Sequence, residues 1–188
     1  YKTKHPLLSP YIEYYNSMEG EGLHGKKFIS LPEGKIGLVF FLAGHTFIDS
    51  ENSITKNYQS HIWGLIQKPN FVTISSDILT FAVVFKPGGL AHFLPPHPLT
   101  EIAKASASLH DIYGKEIVRI EDTLHECKTF QERVQIIEPF LLKQLNTPLI
   151  RIQKAVQLIE NQKGKISVSH LSDSLNLSSR QLRNIFRE

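Results

Sequence analysis

Near its carboxyl end the chain places Ser179, Arg180, Gln181, Arg183, Asn184 and Arg187 within nine residues. Arginine pairs bidentately with guanine and asparagine with adenine, while a spare arginine neutralises phosphate, so a helix face built from these types suits the major groove of a duplex. Leu182, Ile185 and Phe186 recur at helical spacing, which turns the polar residues outward once the apolar ones are buried. Arg180, Arg183 and Asn184 are candidates for base edges and Ser179 and Arg187 for phosphate. Gln181 serves mainly as a helix cap.

Two short helices folded about a tight turn must position these side chains. Ser167 can cap a first helix whose apolar side is Val168, Leu171 and Leu175. Asn176 sits at the turn, where a short amide side chain tolerates a left-handed backbone. Ser178 and Gln181 have the spacing of a capping box, in which hydroxyl and amide satisfy reciprocal backbone donors at the start of the second helix. An ordinary helical hairpin with a solvated basic face has the same pattern. The run Leu171-Ser172, Leu175-Asn176-Leu177-Ser178, Arg180-Gln181-Leu182 and Phe186-Arg187-Glu188 resembles the first helix-turn-helix of AraC/XylS-type transcriptional regulators. Asn176 stands where that family usually has glycine, and Asn184 where a second arginine is frequent. The resemblance implies double-stranded DNA as partner, and it implies a second unit of the same kind joined by a long helix.

Charge agrees with a polyanion contact at this end. The net charge is only +3, but from Ile150 to Glu188 seven Lys or Arg face three acids, while the remainder carries 14 basic and 15 acidic groups. All the positive excess therefore lies beside the candidate reading helix, as expected when one module touches nucleic acid. A mean hydropathy of −0.16 and a longest apolar run of Leu38 to Ala43 argue against a membrane span. Cys127 is the only cysteine, which excludes an internal disulfide and fits a reducing, cytoplasmic setting.

From Phe28 to Phe85 the pattern changes to short β-rich runs: Phe28 to Leu31, Ile36 to Leu42, Thr46 to Ile48, His61 to Ile66, Phe71 to Ile74 and Ile78 to Phe85. Turn residues separate them and no helices intervene, which argues for an antiparallel barrel or sandwich. Before them, a short helix after Pro10 would align Tyr11, Tyr14 and Tyr15 and dock a terminal arm on the core. Phe40, Trp63 and Phe85 are the large apolar residues that either line the mouth of such a barrel, as an effector site, or fill its core.

Leu31-Pro32-Glu33-Gly34, Phe85-Lys86-Pro87-Gly88-Gly89 and Leu109-His110-Asp111-Ile112-Tyr113-Gly114 resemble the N-terminal sensor domain of one AraC-like subgroup, in which a cupin-like barrel precedes the DNA-binding domain. The resemblance admits a small-molecule effector and a homodimer. Cupin-like barrels often hold a histidine-ligated metal, yet His24, His45, His61, His92, His97 and His110 include no His-x-His pair followed by glutamate at ligand spacing. No Gly-x-Ser-x-Gly elbow occurs and Lys86-Pro87-Gly88-Gly89 lacks the ending of a phosphate loop. Neither metal, cofactor nor catalytic residues are expected, and the chain is read as a non-enzyme.

Helical signals follow. Gly88 to Leu94 allows one or two turns before Pro95-Pro96, Thr100 can cap a helix through Ala107, and Ile117, Ile120 and Leu124 recur at helical spacing. Thr129 to Glu132 is a capping box opening a helix with Pro139 inside it, where a kink or break is expected. Those helices can pack on the barrel or pair with a second subunit. Asn146-Thr147-Pro148 marks a boundary before the next helix, which ends near Gly164. The expected fold is α+β: a cupin-like antiparallel β-barrel or sandwich over residues 1–114, a helical connector over 115–146, and the first part of an all-α helix-turn-helix domain over 147–188. The expected function is that of a bacterial-type transcriptional regulator. A ligand-binding or protein-interaction module without DNA contact and a cupin-type metalloenzyme are the alternatives.

Overall fold

Side-chain alternation along two apolar strands, one face sealed and the other only partly buried, decides how the chain is layered. In the strands Ile36–Ala43 and Ile78–Phe85, Leu38, Phe40, Phe81 and Val83 lie on one face and are sealed from solvent, whereas Val39 and Ala82 on the other face are only half-buried. The structure is a computed structural model that describes residues 1–50, 53–56, 59–63, 68–95, 107–146 and 150–186.

Nine strands are described: β1 (Ile12–Gly20), β2 (Lys27–Ser30), β3 (Ile36–Ala43), β4 (Thr46–Ser50), β5 (Ser53–Lys56), β6 (Ser60–Trp63), β7 (Asn70–Ile74), β8 (Ile78–Phe85) and β9 (Ala107–Ser108). They form a five-stranded sheet in the order β1-β8-β3-β6-β9 and a four-stranded sheet in the order β2-β7-β4-β5. Every described pairing is antiparallel. After a 3-10 turn at Leu90–His92 come α1 (Leu109–Tyr113), α2 (Lys115–Glu126), α3 (Phe130–Gln144), α4 (Ile150–Asn161), α5 (Val168–Ser174) and α6 (Ser179–Ile185). No described helix is long and apolar enough to cross a membrane.

The expected α+β class with antiparallel sheets holds; of the expected barrel or sandwich, the closed barrel does not form, and the sheets stay separate. Closure would require β1 or β9 to pair with β2 or β5, and no such pairing occurs among the described strands. The physical reason is that helices, not a second sheet, cover the sealed face of the larger sheet. Ile117 and Leu124 of α2 and Val134, Ile137, Phe140 and Leu141 of α3 join Leu38, Phe40, Ile62, Phe81 and Val83 in one core. Between the two sheets, Phe41, Ile74 and Ile78 form a small cluster of their own. Ala155, Leu171 and Leu182 make a third core, that of α4 to α6.

Local departures have local causes. The segment after Pro10 is strand β1 and not a helix, because it pairs along its length with β8, Tyr15 opposite Val83 and Tyr14 opposite Val84. Tyr14 and Tyr15 therefore point to opposite faces. The arm does dock: the Tyr1 ammonium donates to the Tyr15 carbonyl at 2.9 Å, and Thr3 Oγ1 and Tyr15 Oη donate to Glu138 Oε1 of α3 at 2.5 and 3.2 Å. Burial beside that carboxylate pushes the Tyr15 phenol far above its ordinary pKa. The capping box of Thr129 and Glu132 opens α3. That helix continues through Pro139 without a break, since Pro139 and Gln135, whose carbonyl loses its donor, both face water. The helix expected from Thr100 through Ala107 and the boundary Thr147-Pro148 lie outside the described residues, apart from Ala107, which is in β9.

Candidate nucleic-acid interface

Three helices hold the candidate reading surface. Ser167 Oγ accepts from the His170 amide to start α5. Asn176 adopts φ 53 at the turn, the left-handed conformation that an asparagine tolerates. Ser178 Oγ accepts from the Gln181 amide at 3.2 Å and the Ser178 amide donates to Gln181 Oε1 at 2.9 Å, completing the capping box of α6. Underneath, Leu182 of α6 packs with Leu171 of α5 and Ala155 of α4, and Leu158, Ile166, Leu175, Leu177 and Ile185 surround them. This packing fixes the rotation of α6.

The rotation leaves Arg180, Gln181, Arg183 and Asn184 exposed together. Ser179 is half-buried, with its Oγ 3.4 Å from Ser172 Oγ. The Gln181 oxygen is engaged by the cap, whereas Arg180, Arg183 and Asn184 make no side-chain hydrogen bond or ion pair to the described residues. Their donors are available to an external acceptor, and two unneutralised guanidiniums one turn apart make that side strongly positive. Lys163 and Lys165, before α5, are exposed as well. Arg187 lies outside the described residues. Phe186, expected to be buried with Leu182 and Ile185, is instead the exposed C-cap of α6, and Val168, at the start of α5, is exposed too.

The three candidate effector residues are not brought together. Phe40 and Phe85, 1% and 2% exposed, fill the core between the larger sheet and the helices. Trp63 lies on the opposite face, since it pairs with Gly37, next in line to Leu38. On that face Trp63, Val39, Ala82 and Tyr14 are each half-buried, while Val84, His61, Phe41 and Thr80 are buried. Beside Trp63 lies Gly37, where a β-carbon would come within 2.6 Å of the Val83 carbonyl oxygen, so only glycine fits against the neighbouring strand. His61 stacks on Phe41 at 5.8 Å along the same face. Sequence reading missed Tyr14, Gly37 and Ala82 because only the strand register reveals them as neighbours of Trp63. Among the described residues no group of three or more His, Cys, Asp or Glu is arranged to hold a metal.

A seam joins the sheets to α4. The Lys86 amide donates to the Tyr11 carbonyl at 2.8 Å, and a β-carbon at Gly89 would overlap that same oxygen, so the turn is drawn tight against the N-terminal segment. Gly88, φ 73, lies against Ile152 and Val156 of α4. His92, buried, packs its ring tilted against Tyr11 at 4.4 Å, and its carbonyl accepts from the Asn146 amide at 2.7 Å. Asn146 Nδ2 donates to the Leu94 carbonyl at 2.7 Å. The Lys86-Pro87-Gly88-Gly89 motif thus has a packing role that composition alone did not disclose.

Comparison with known proteins adds the following. No curated protein matches the chain. A solved structure described as "Crystal structure of the AraC-like transcriptional activator CuxR" is similar over 85% of this chain, at a TM-score of 0.37 and 12% identity, a likeness too loose to carry an argument. This chain spans 66% of the length of that one. Residues 4–108 match the family described as Domain of unknown function (DUF6597). The match takes in all nine described strands and more than half of the chain. The chain therefore belongs to the DUF6597 family, with the two-sheet region as its family domain.

Proposed function

We propose that the chain is a DNA-binding transcriptional regulator of AraC type, in which residues 147–188 read the major groove and the two-sheet region senses an effector. One observation carries this reading: α6 is rotated by its own core so that Arg180, Arg183 and Asn184 stand free on a single exposed face. An asparagine and two arginines with unspent donors match adenine and guanine edges, and the net positive charge of this end supplies attraction to phosphate. Arg180, Arg183 and Asn184 contact bases, while Ser179 and Arg187 contact the backbone. The protein binds and does not catalyse.

The effector surface in this reading is the half-buried patch of Trp63, Val39, Tyr14 and Ala82, and not Phe40 or Phe85, whose side chains are spent on the core. A ligand there regulates DNA binding only through unequal affinity for two arrangements of sheet and reading unit. The test is selection of genomic duplex fragments by the full-length protein, followed by anisotropy titration of the enriched sequence. The reading requires a complex that survives nonspecific competitor and weakens as salt rises. Failure to enrich any sequence would overturn it.

A further inference from the structure

Among the described residues only two that are not glycine adopt a left-handed backbone: Asn176, at the turn between α5 and α6, and Lys163, φ 52, at the turn between α4 and α5. Asparagine tolerates this conformation, and lysine does not. Gly164 follows at φ 75, and the Lys165 amide donates to the Gln162 carbonyl at 2.8 Å. Two central residues of positive φ closed by that bond make a type I′ turn, whose first central position ordinarily holds asparagine or glycine. A lysine there strains the backbone.

Nothing among the described residues uses the side chain so placed. Lys163 is exposed and its ammonium makes no hydrogen bond or ion pair to them, and the same holds for the ammonium of Lys165. Glu160, the acid nearest in sequence, is itself exposed and pairs with neither. The turn is nonetheless firmly placed. Ile159 before it and Ile166 after it pack on the cluster of Ala155, Leu171 and Leu182, and the Gly164 amide donates to the Ile159 carbonyl at 2.8 Å, which draws the turn back onto the end of α4. Leu182 of that cluster also sets the rotation of α6, so one core holds both the two lysines and the face of Arg180 and Arg183.

We infer that the turn of Lys163 and Lys165 is a second contact of this unit with duplex DNA, gripping the phosphate backbone beside the groove that α6 enters. The inference rests on the proposed DNA reading and adds to it a surface that reads no sequence. In a helix-turn-helix the helix before the reading helix crosses the backbone, and this turn leads directly into that helix, α5. An ammonium is a point charge on a flexible stem and suits phosphate oxygens, which position a protein on the duplex without selecting bases.

The test uses the whole chain and two duplexes, the genomically selected sequence and a scrambled one of the same length and composition, titrated by anisotropy over a range of salt. Lys163→Asn should leave the melting temperature no lower, because asparagine accepts the left-handed backbone. It should weaken both duplexes alike, by roughly eightfold at about 100 mM salt, and reduce the slope of log affinity against log salt by about 0.9. Adding Lys165→Gln should about double the change in slope, whereas Arg183→Ala should weaken the selected duplex more than the scrambled one. An unchanged slope in the double variant, a loss confined to the selected duplex, or a lower melting temperature for Lys163→Asn would overturn the inference and leave the reading by α6 standing. A protein with no preference between the duplexes, whose slope still falls in the double variant, would sink that reading and support the phosphate grip.

Discussion

Single side chains divide here into those that contact a partner and those that hold the frame. Arg183 is exposed and makes no side-chain hydrogen bond or ion pair to the described residues, so Arg183→Ala should leave the melting temperature nearly unchanged and weaken specific duplex binding by about 1–3 kcal/mol. Anisotropy titration of wild type and variant on one selected sequence checks it. Gly89 belongs to the frame: its missing β-carbon is the space occupied by the Tyr11 carbonyl. Gly89→Ala should therefore destabilise the fold by about 1–3 kcal/mol, read from the urea midpoint, as overpacking against backbone does. His92 is buried, and desolvation holds its pKa below the ordinary 6.5. The unfolded chain takes up a proton near pH 6.5 that the folded chain refuses until lower pH, so His92 lowers stability as pH falls below 6.5. His92→Phe should flatten the fall in urea midpoint between pH 7 and 5, and an unaltered slope would refute this. The outward arginines were legible because Leu182 and Ile185 mark the buried side of α6 by period alone. Trp63 was legible as a large apolar residue, but its separation from Phe40 and Phe85 was not, since face assignment depends on which residue of β3 it pairs with.

Elements carry their own signals, and these differ in how far they can be read locally. Both capping boxes and the left-handed Asn176 are written within four consecutive residues, and both appear as written. Ser178→Ala removes an acceptor from the start of α6 and should cost about 1 kcal/mol in the stability of α4 to α6, measurable by hydrogen exchange of α6 amides. Strand β1 is a different case. Its Tyr-rich segment has no clean period, and its strand state comes from pairing with β8, more than sixty residues away. The expected barrel failed for a related reason: short β-rich runs announce antiparallel sheets, but not whether a helix or another sheet covers each face. That information sits in Ile117, Leu124, Ile137 and Leu141, whose helical stripe fits packing on a sheet and pairing with a second copy equally well.

At the scale of the molecule, two cores of unequal size are joined at a narrow seam. The sheet–helix core runs from Leu8 to Leu141, whereas among the described residues the buried apolar cluster of α4 to α6 is Ala155, Leu171 and Leu182. A three-helix unit with so small a core is marginal by itself. Amides of α5 and α6 should therefore exchange faster than those of β3 and β8 in native-state hydrogen exchange, and equal protection would show the two cores to be one cooperative unit. Contact of Gly88 with Ile152 and Val156 ties the sheets to α4, and the bond from Asn146 to His92 fastens the segment after α3 to the turn before β9. The central claim is that the free face of α6 reads duplex DNA, and its most direct test is the salt dependence of binding by the full-length protein to a genomically selected duplex. With about four phosphates neutralised, affinity should fall roughly a hundredfold between 50 and 200 mM salt, and Arg183→Ala should lower affinity at every salt concentration. A selected complex whose affinity ignores both salt and Arg183→Ala would contradict the account.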